Sequence, residues 1–274
     1  MTLVPSRRGL AGIGVLVTRP AGQSGQLARL ILAEGGTPIL FPALEIEGSP
    51  QAEIASELSR IDAVDLAVFV SPNAARFGLA ALAHAAGPGI AVRYAAVGPG
   101  TVAELKKAGV REIISPESGF DSEALLALLP LDDLAGKRVV IFRGNGGREL
   151  LGEVLQSRGA SVTHIACYRR TRPPGDMRAL LPLWQSGGLQ ACIATSAEVV
   201  SNLFDMAGEA ARPWLCQTPM FVPHARVAAT AFAGSVRTLF VAGAGDTALV
   251  RGLLSWFASS RNGTAAPDIV ATPS

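Results

Sequence analysis

Cysteine is scarce: three in 274 residues, at Cys167, Cys192 and Cys216. Their separations of 25 and 24 residues match no zinc-ligand spacing, and an odd number builds no disulfide framework. The expectation is reduced, mostly buried thiols of a cytosolic protein. Histidine is equally scarce, with His84, His164 and His224 far apart and no HExxH, so a metal site is not expected. Charge is thin as well. Charged residues make up 17% of the chain, and 24 basic against 22 acidic residues leave a net charge of +2, too even for an electrostatic grip on nucleic acid. The apolar run Phe77–Val92 is interrupted by His84 and Pro88 and falls short of the ~20 residues that span a bilayer. Ser6-Arg7-Arg8-Gly9-Leu10 superficially resembles a twin-arginine signal. The apolar stretch behind it is short, rich in glycine and stopped by Thr18-Arg19-Pro20, so a short leader and then a buried strand are expected instead.

Nucleotide and nucleophile motifs are missing too. Gly144-Asn145-Gly146-Gly147 has Glu149 where a dinucleotide fingerprint needs its third glycine, and Gly98-Pro99-Gly100 is followed by Glu104 in that slot. There is no GxxxxGK[ST], and Gly22-Gln23-Ser24-Gly25 is not a nucleophile elbow. The chemistry expected of this chain needs no nicotinamide, nucleotide or covalent serine.

What the chain does contain is apolar material, 49% of residues, enough to bury a substantial core. Its basic residues are 21 arginines and three lysines, and arginine suits bidentate binding of carboxylates or phosphates. The sequence also repeats itself. Val15-Leu16-Val17-Thr18-Arg19-Pro20 reads like Val139-Val140-Ile141-Phe142-Arg143-Gly144, with the two arginines 124 residues apart. The helical patterns that follow stop at Gly35 and Gly159, again 124 apart. Leu66–Ser71 matches Ala191–Ser196 and Ala95–Gly98 matches Met220–Pro223, both at an offset of 125. A nearly constant offset across four segments indicates a duplicated unit of about 125 residues. Short β-branched runs alternate with amphipathic patterns, such as the Leu150, Leu151, Val154, Leu155 stripe before Gly159. The fold class is therefore α/β, two doubly wound parallel-sheet domains from a duplicated unit.

In open parallel sheets, ligands bind beyond the carboxyl ends of the strands. The segments there are Thr18-Arg19-Pro20, Ser71-Pro72-Asn73, Gly98-Pro99-Gly100-Thr101, Arg143 to Arg148, Thr195-Ser196 and Pro223-His224-Ala225-Arg226. They are small, hydroxylated, glycine-rich or arginine-bearing, a composition that suits anions at helix N-termini. Asp121 and Asp246 stand where helix N-caps are expected.

Taken in order, Val15–Pro20, Phe69–Asn73, Ala96–Thr101, Phe142–Gly159 and Ala166-Cys167-Tyr168-Arg169-Arg170 resemble uroporphyrinogen-III synthase, from about Gly14 to Phe257. That resemblance implies two α/β domains joined by two extended connectors, near Phe41–Ile46 and Tyr168–Pro173, around a cleft. Residues 1–43 and 171–274 would form one domain and 44–170 the other, with 259–274 a flexible tail. It further implies a cytoplasmic, monomeric enzyme without cofactor. The substrate would be hydroxymethylbilane, a linear tetrapyrrole with eight carboxylates, closed with loss of water and inversion of ring D through a spiro intermediate. Transient contact with the enzyme that makes this substrate is part of the same expectation.

Residue by residue, Tyr168 matches the family's connector tyrosine, the proton donor to the departing hydroxyl. Thr101 matches a hydroxyl at a helix start, and Ser71 and Ser196 match the paired serine loops. Arg19, Arg143 and Arg148 are the candidates for carboxylates. The loop with His224 and Arg226 lacks the paired threonines of some relatives, so Arg226 is expected to serve there. Two other readings stay open on the sequence: a non-catalytic cleft-binding protein for an anionic small molecule, and a two-lobed nucleotide-using transferase.

Overall fold

The computed structural model describes residues 8–61, 63–86, 92–129, 134–146 and 149–261. Within them the chain divides into two compact units, residues 1–45 with 171–274, and residues 46–170.

The first unit carries a five-stranded sheet. Its strands are β1 (Gly14–Val17), β2 (Thr37–Leu40), β8 (Ala191–Ile193), β9 (Met220–Val222) and β10 (Leu239–Val241), in the order β10-β9-β8-β1-β2 and all parallel. Side chains alternate across a strand, and β1 uses both faces: Leu16 packs on one side, Val15 and Val17 on the other. Helices α7 (Leu181–Gln185), α8 (Ala197–Gln217) and α9 (Ala225–Ala233) cover the Leu16 face through Trp184, Val199, Leu203 and Val227. Helices α1 (Gly25–Ala33) and α10 (Asp246–Arg261) cover the other through Leu27, Ile31, Leu249 and Leu253. Helix α10 thus runs past the start of the tail expected at 259, and the rest of that tail, like residues 1–7 of the expected leader, lies outside the described residues. Helix α8 breaks at Gly208, whose φ of 54° is a conformation glycine adopts without steric cost.

The second unit holds β3 (Glu45–Gly48), β4 (Leu66–Phe69), β5 (Arg93–Ala96), β6 (Arg138–Gly144) and β7 (Ser161–Thr171), in the order β3-β7-β6-β4-β5. Strands β4 to β7 are mutually parallel. Strand β3 is an antiparallel edge: the Ser49 amide donates to Cys167 while Glu47 pairs with Arg169, so one index rises as the other falls. Ala67, Phe69, Val140 and Phe142 pack against α2 (Gln51–Leu58), α3 (Pro72–Ala86) and α4 (Pro99–Lys107), with the Phe69 and Phe142 rings stacked 4.7 Å apart. Leu66, Val68, Val139 and Ile141 pack against α5 (Ser122–Leu128) and α6 (Leu150–Ser157). Each buried Val, Leu, Ile or Phe side chain among these contributes roughly 1.5–3 kcal/mol.

The duplication read from the sequence is visible as matching strand orders. Strands β1, β2, β8 and β9 correspond to β6, β7, β4 and β5. The isolated parallel bridge Ala95–Ile114 stands beside β5 where β10 stands beside β9. Helices on both faces of each sheet make both units doubly wound.

The three cysteines are free thiols, Cys167 and Cys192 buried and Cys216 half-buried. Burial pushes the Cys167 and Cys192 thiols up to about 12, and it is the thiolate that reacts. A thiol-specific reagent is therefore expected to modify Cys216 alone in the native protein and all three cysteines after denaturation, as counted by mass spectrometry.

No helix among the described residues is long and apolar enough to cross a membrane.

Candidate active site

The site residues of the second unit stand where its parallel strands end. Ser71 follows β4 and caps α3, its Oγ accepting the Ala74 N–H at 3.0 Å. The same Oγ lies 3.0 Å from the Tyr168 hydroxyl. Tyr168 is near the end of β7 and only 4% exposed, with its ring packed in the core beside Phe77. Two features of β6 and β7 aim it there. The register slips between Arg143 and Gly144, so Arg143 pairs with Ala166 and Gly144 with Tyr168, leaving Cys167 as the extra residue of a bulge. Bulges re-aim side chains in this way. Gly144 also has no side chain to obstruct the ring: a Cβ there would lie 2.8 Å from Tyr168 Cζ and 3.2 Å from its hydroxyl. The Asn145 N–H donates to the Tyr168 carbonyl at 3.0 Å, and its Oδ1 accepts from the Arg170 N–H at 3.3 Å, tying the two strand ends together.

Arg143 occupies the other face of the same sheet edge. Its guanidinium donates to both carboxylate oxygens of Glu149, at 2.8 and 3.0 Å, and its side chain is 11% exposed. It lines a cavity of about 260 Å³ with Phe120, Asp121, His164 and Gly146. A carboxylate ligand would have to displace Glu149 from Arg143. A larger cavity, about 840 Å³, is lined by Arg93, Tyr94 and Val110 to Ile114. It adjoins the amino end of β5, away from every candidate residue. Thr101 is 2% exposed. It is the third residue of α4, whose N-cap is Gly98, so its hydroxyl stands inside the first turn rather than at the cap. Arg148 lies outside the described residues.

His164, on β7, faces this cavity with its Nε2 4.0 Å from Glu149 and against Gly152, where a Cβ would come within 2.6 Å of that nitrogen. Burial, with the charge of Arg143 as a second cause, holds its pKa below the usual 6.5, against the opposing pull of Glu149. A depressed histidine leaves stability intact above its unfolded value and removes it as pH falls through the lower folded one. The thermal midpoint of wild type is thus expected to fall from pH 6.5 to pH 5 more steeply than that of His164→Gln. Parallel curves would show that His164 carries no such linkage.

In the first unit, Arg19 follows β1 and forms an ion pair with Asp246, at the start of α10. Asp246 is the first residue of the helix and not its cap, whereas Asp121 does cap α5, accepting the Ala124 N–H at 2.8 Å. Ser196 caps α8 through the Val199 N–H at 3.2 Å, the counterpart of Ser71 on α3. Arg226 is the second residue of α9 and is exposed, as is His224 at its N-cap. The second unit thus joins two of the candidates directly, Ser71 and Tyr168, and in each unit an arginine candidate is held by a carboxylate of the chain itself. The sequence did not reveal Gly144, Glu149 or Asp246 in these roles. The Gly-x-Gly that begins on the last residue of β6 was the available signal for the first. A lone carboxylate six or 227 residues from its arginine gives none.

Among the described residues no group of three or more His, Cys, Asp or Glu could hold a metal ion.

Residues 25–246 match the protein family described as Uroporphyrinogen-III synthase HemD. Uroporphyrinogen-III synthase of Salmonella typhimurium is 33% identical over 219 residues, 79% of this chain and 89% of that protein. That of Escherichia coli K12 is 31% identical over the same shares. Among solved structures, a mutant uroporphyrinogen III synthase of Thermus thermophilus aligns with a TM-score of 0.57 at 21% identity, covering 88% of this chain and 97% of that one. The Helicobacter pylori enzyme aligns with a TM-score of 0.53 at 12% identity, covering 89% and 98%. At these identities the structural likeness speaks to the fold, and the sequence matches speak to the family. A family match over most of the chain, relatives above 30% identity and the duplicated doubly wound fold agree: this chain belongs to the uroporphyrinogen-III synthase family.

Proposed function

We propose that this cyclising lyase acts through the Tyr168 hydroxyl at the end of β7. The reaction is the family's own, closure of hydroxymethylbilane to uroporphyrinogen III with loss of water and inversion of ring D. The reading of a non-catalytic binder is not favoured, since the similar proteins are named as synthases.

Tyr168 passes its proton to the substrate's terminal hydroxyl, the C–O bond breaks, and water leaves an azafulvene cation. Ring D attacks through its substituted carbon, and the spiro intermediate fragments and recloses with that ring inverted. The proton released as the last pyrrole regains aromaticity balances the one given up at the start. Unaided closure gives the uninverted isomer, so the protein's contribution is largely to hold the tetrapyrrole in the conformer that reacts by the spiro route. Carboxylates are the handles for that. In the second unit Thr101, Arg143 and Arg148 are assigned to them, and in the first unit Arg19, Ser196 and Arg226; Ser71, matched to the same loops in the sequence, is engaged instead with the Tyr168 hydroxyl.

What supports the catalytic assignment is the pairing of Ser71 and Tyr168, chosen separately from the sequence and 3.0 Å apart in the fold. What supports the anion assignment is position: Arg19 and Arg143 stand at the carboxyl ends of parallel strands, where ligands of such sheets bind, and a substrate carboxylate would take the place of Asp246 or Glu149 there. A cytoplasmic setting is supported by three cysteines held as free thiols.

The experiment is turnover itself. Hydroxymethylbilane should disappear in the presence of the protein faster than it closes spontaneously. Recovery of bound, unchanged substrate would return the non-catalytic binder.

A further inference from the structure

We propose that Ser71 is a positioning residue for Tyr168: its hydroxyl donates to the phenol oxygen, leaving the phenol proton free to be transferred. This rests on Tyr168 being the proton donor. A serine hydroxyl has one proton and two acceptor lone pairs. The Ala74 N–H, fixed in the first turn of α3, occupies one lone pair at 3.0 Å and sets the rotamer. The Tyr168 oxygen lies at the same distance on the remaining side. If the phenol donated, its only proton would be committed to Ser71. If Ser71 donates, that proton is available, and the oxygen that gives it up keeps a hydrogen-bond partner for the developing negative charge.

Helix capping alone does not account for the pair. Ser196 caps α8 in the same manner, yet the position 124 residues before Tyr168 is Leu44. The duplicated fold therefore makes this serine cap without a phenol in the first unit. The second unit adds the tyrosine and also removes what would obstruct it, with a glycine at 144 and a bulge that sets Tyr168 opposite it.

Ser71→Ala is expected to lower kcat on the order of tenfold, one hydrogen bond's worth, with KM unchanged. Ser71→Thr should restore the rate. Ser71→Asp keeps an N-cap acceptor but carries no proton to donate, so it should recover thermal stability without recovering rate. A readout independent of activity is the 13Cζ resonance of labelled tyrosine. The chain has only Tyr94 and Tyr168, and Tyr94→Phe leaves a single signal. Ser71→Ala in that background should shift it, and Ser71→Thr should return it. In Tyr168→Phe, a further Ser71→Ala should cost nothing more in kcat. The proposal is overturned by an unmoved resonance, by full rescue of rate with Ser71→Asp, or by a Ser71→Ala effect on KM that persists without the phenol. The last would mean that Ser71 binds substrate. A shifted resonance together with an unimpaired Tyr168→Phe enzyme would instead refute the proton-donor reading on which the proposal stands.

Discussion

Tyr168→Phe is expected to reduce kcat on the order of a hundredfold, the lower range for losing a positioned general acid, while KM stays within about twofold. The ring is core, and phenylalanine preserves it. What is lost is one oxygen and its contact with Ser71, a change of about 1 kcal/mol in stability. Steady-state kinetics together with a urea titration separate the two effects. A large drop in kcat with a small shift in midpoint assigns the hydroxyl to chemistry. An unchanged rate removes Tyr168 from the mechanism.

Gly144→Ala is the second substitution with a large expected effect, and it reaches the same group from behind. The added methyl would lie 2.8 Å from Tyr168 Cζ and 2.9 Å from Cε2, closer than real Cβ atoms approach, so the ring must turn away from Ser71. Overpacking of this kind costs roughly 1–3 kcal/mol. Gly144 is not among the glycines with a positive φ, so the cost falls on the tyrosine rather than the backbone. We expect kcat to fall nearly as far as in Tyr168→Phe. In the double variant the two losses should not add, because groups in direct contact are not independent. A Gly144→Ala enzyme with normal kcat would mean that the exact place of the ring is immaterial to catalysis.

The sequence carried the fold class because the duplication is a pattern: offsets of 124 or 125 between Arg19 and Arg143, Gly35 and Gly159, and Ser71 and Ser196 reappear as two sheets of matching strand order. The antiparallel edge strand β3 escaped that pattern. Four residues with two glutamates carry little periodicity, and the strand's direction follows from its pairing with β7. At the site, the individual residues were legible and their relations were not. Ser71 and Tyr168 are 97 residues apart. They meet because β6 lies between β4 and β7 and because the β6–β7 bulge turns the tyrosine. Arg19 and Arg143 look alike as free cations in the sequence, and each is neutralised by a carboxylate that only the fold supplies. Thr101 shows the reverse: a hydroxyl placed by its match at a helix start is buried inside the first turn because Gly98 takes the cap position.

If this fold directs a ring inversion, the isomer formed shows it. Hydroxymethylbilane would be generated in place, the products oxidised, and the porphyrin isomers separated by chromatography with and without the protein. Isomer III is expected well above the protein-free control, with the excess lost in Tyr168→Phe. Isomer I alone from well-folded protein would contradict it.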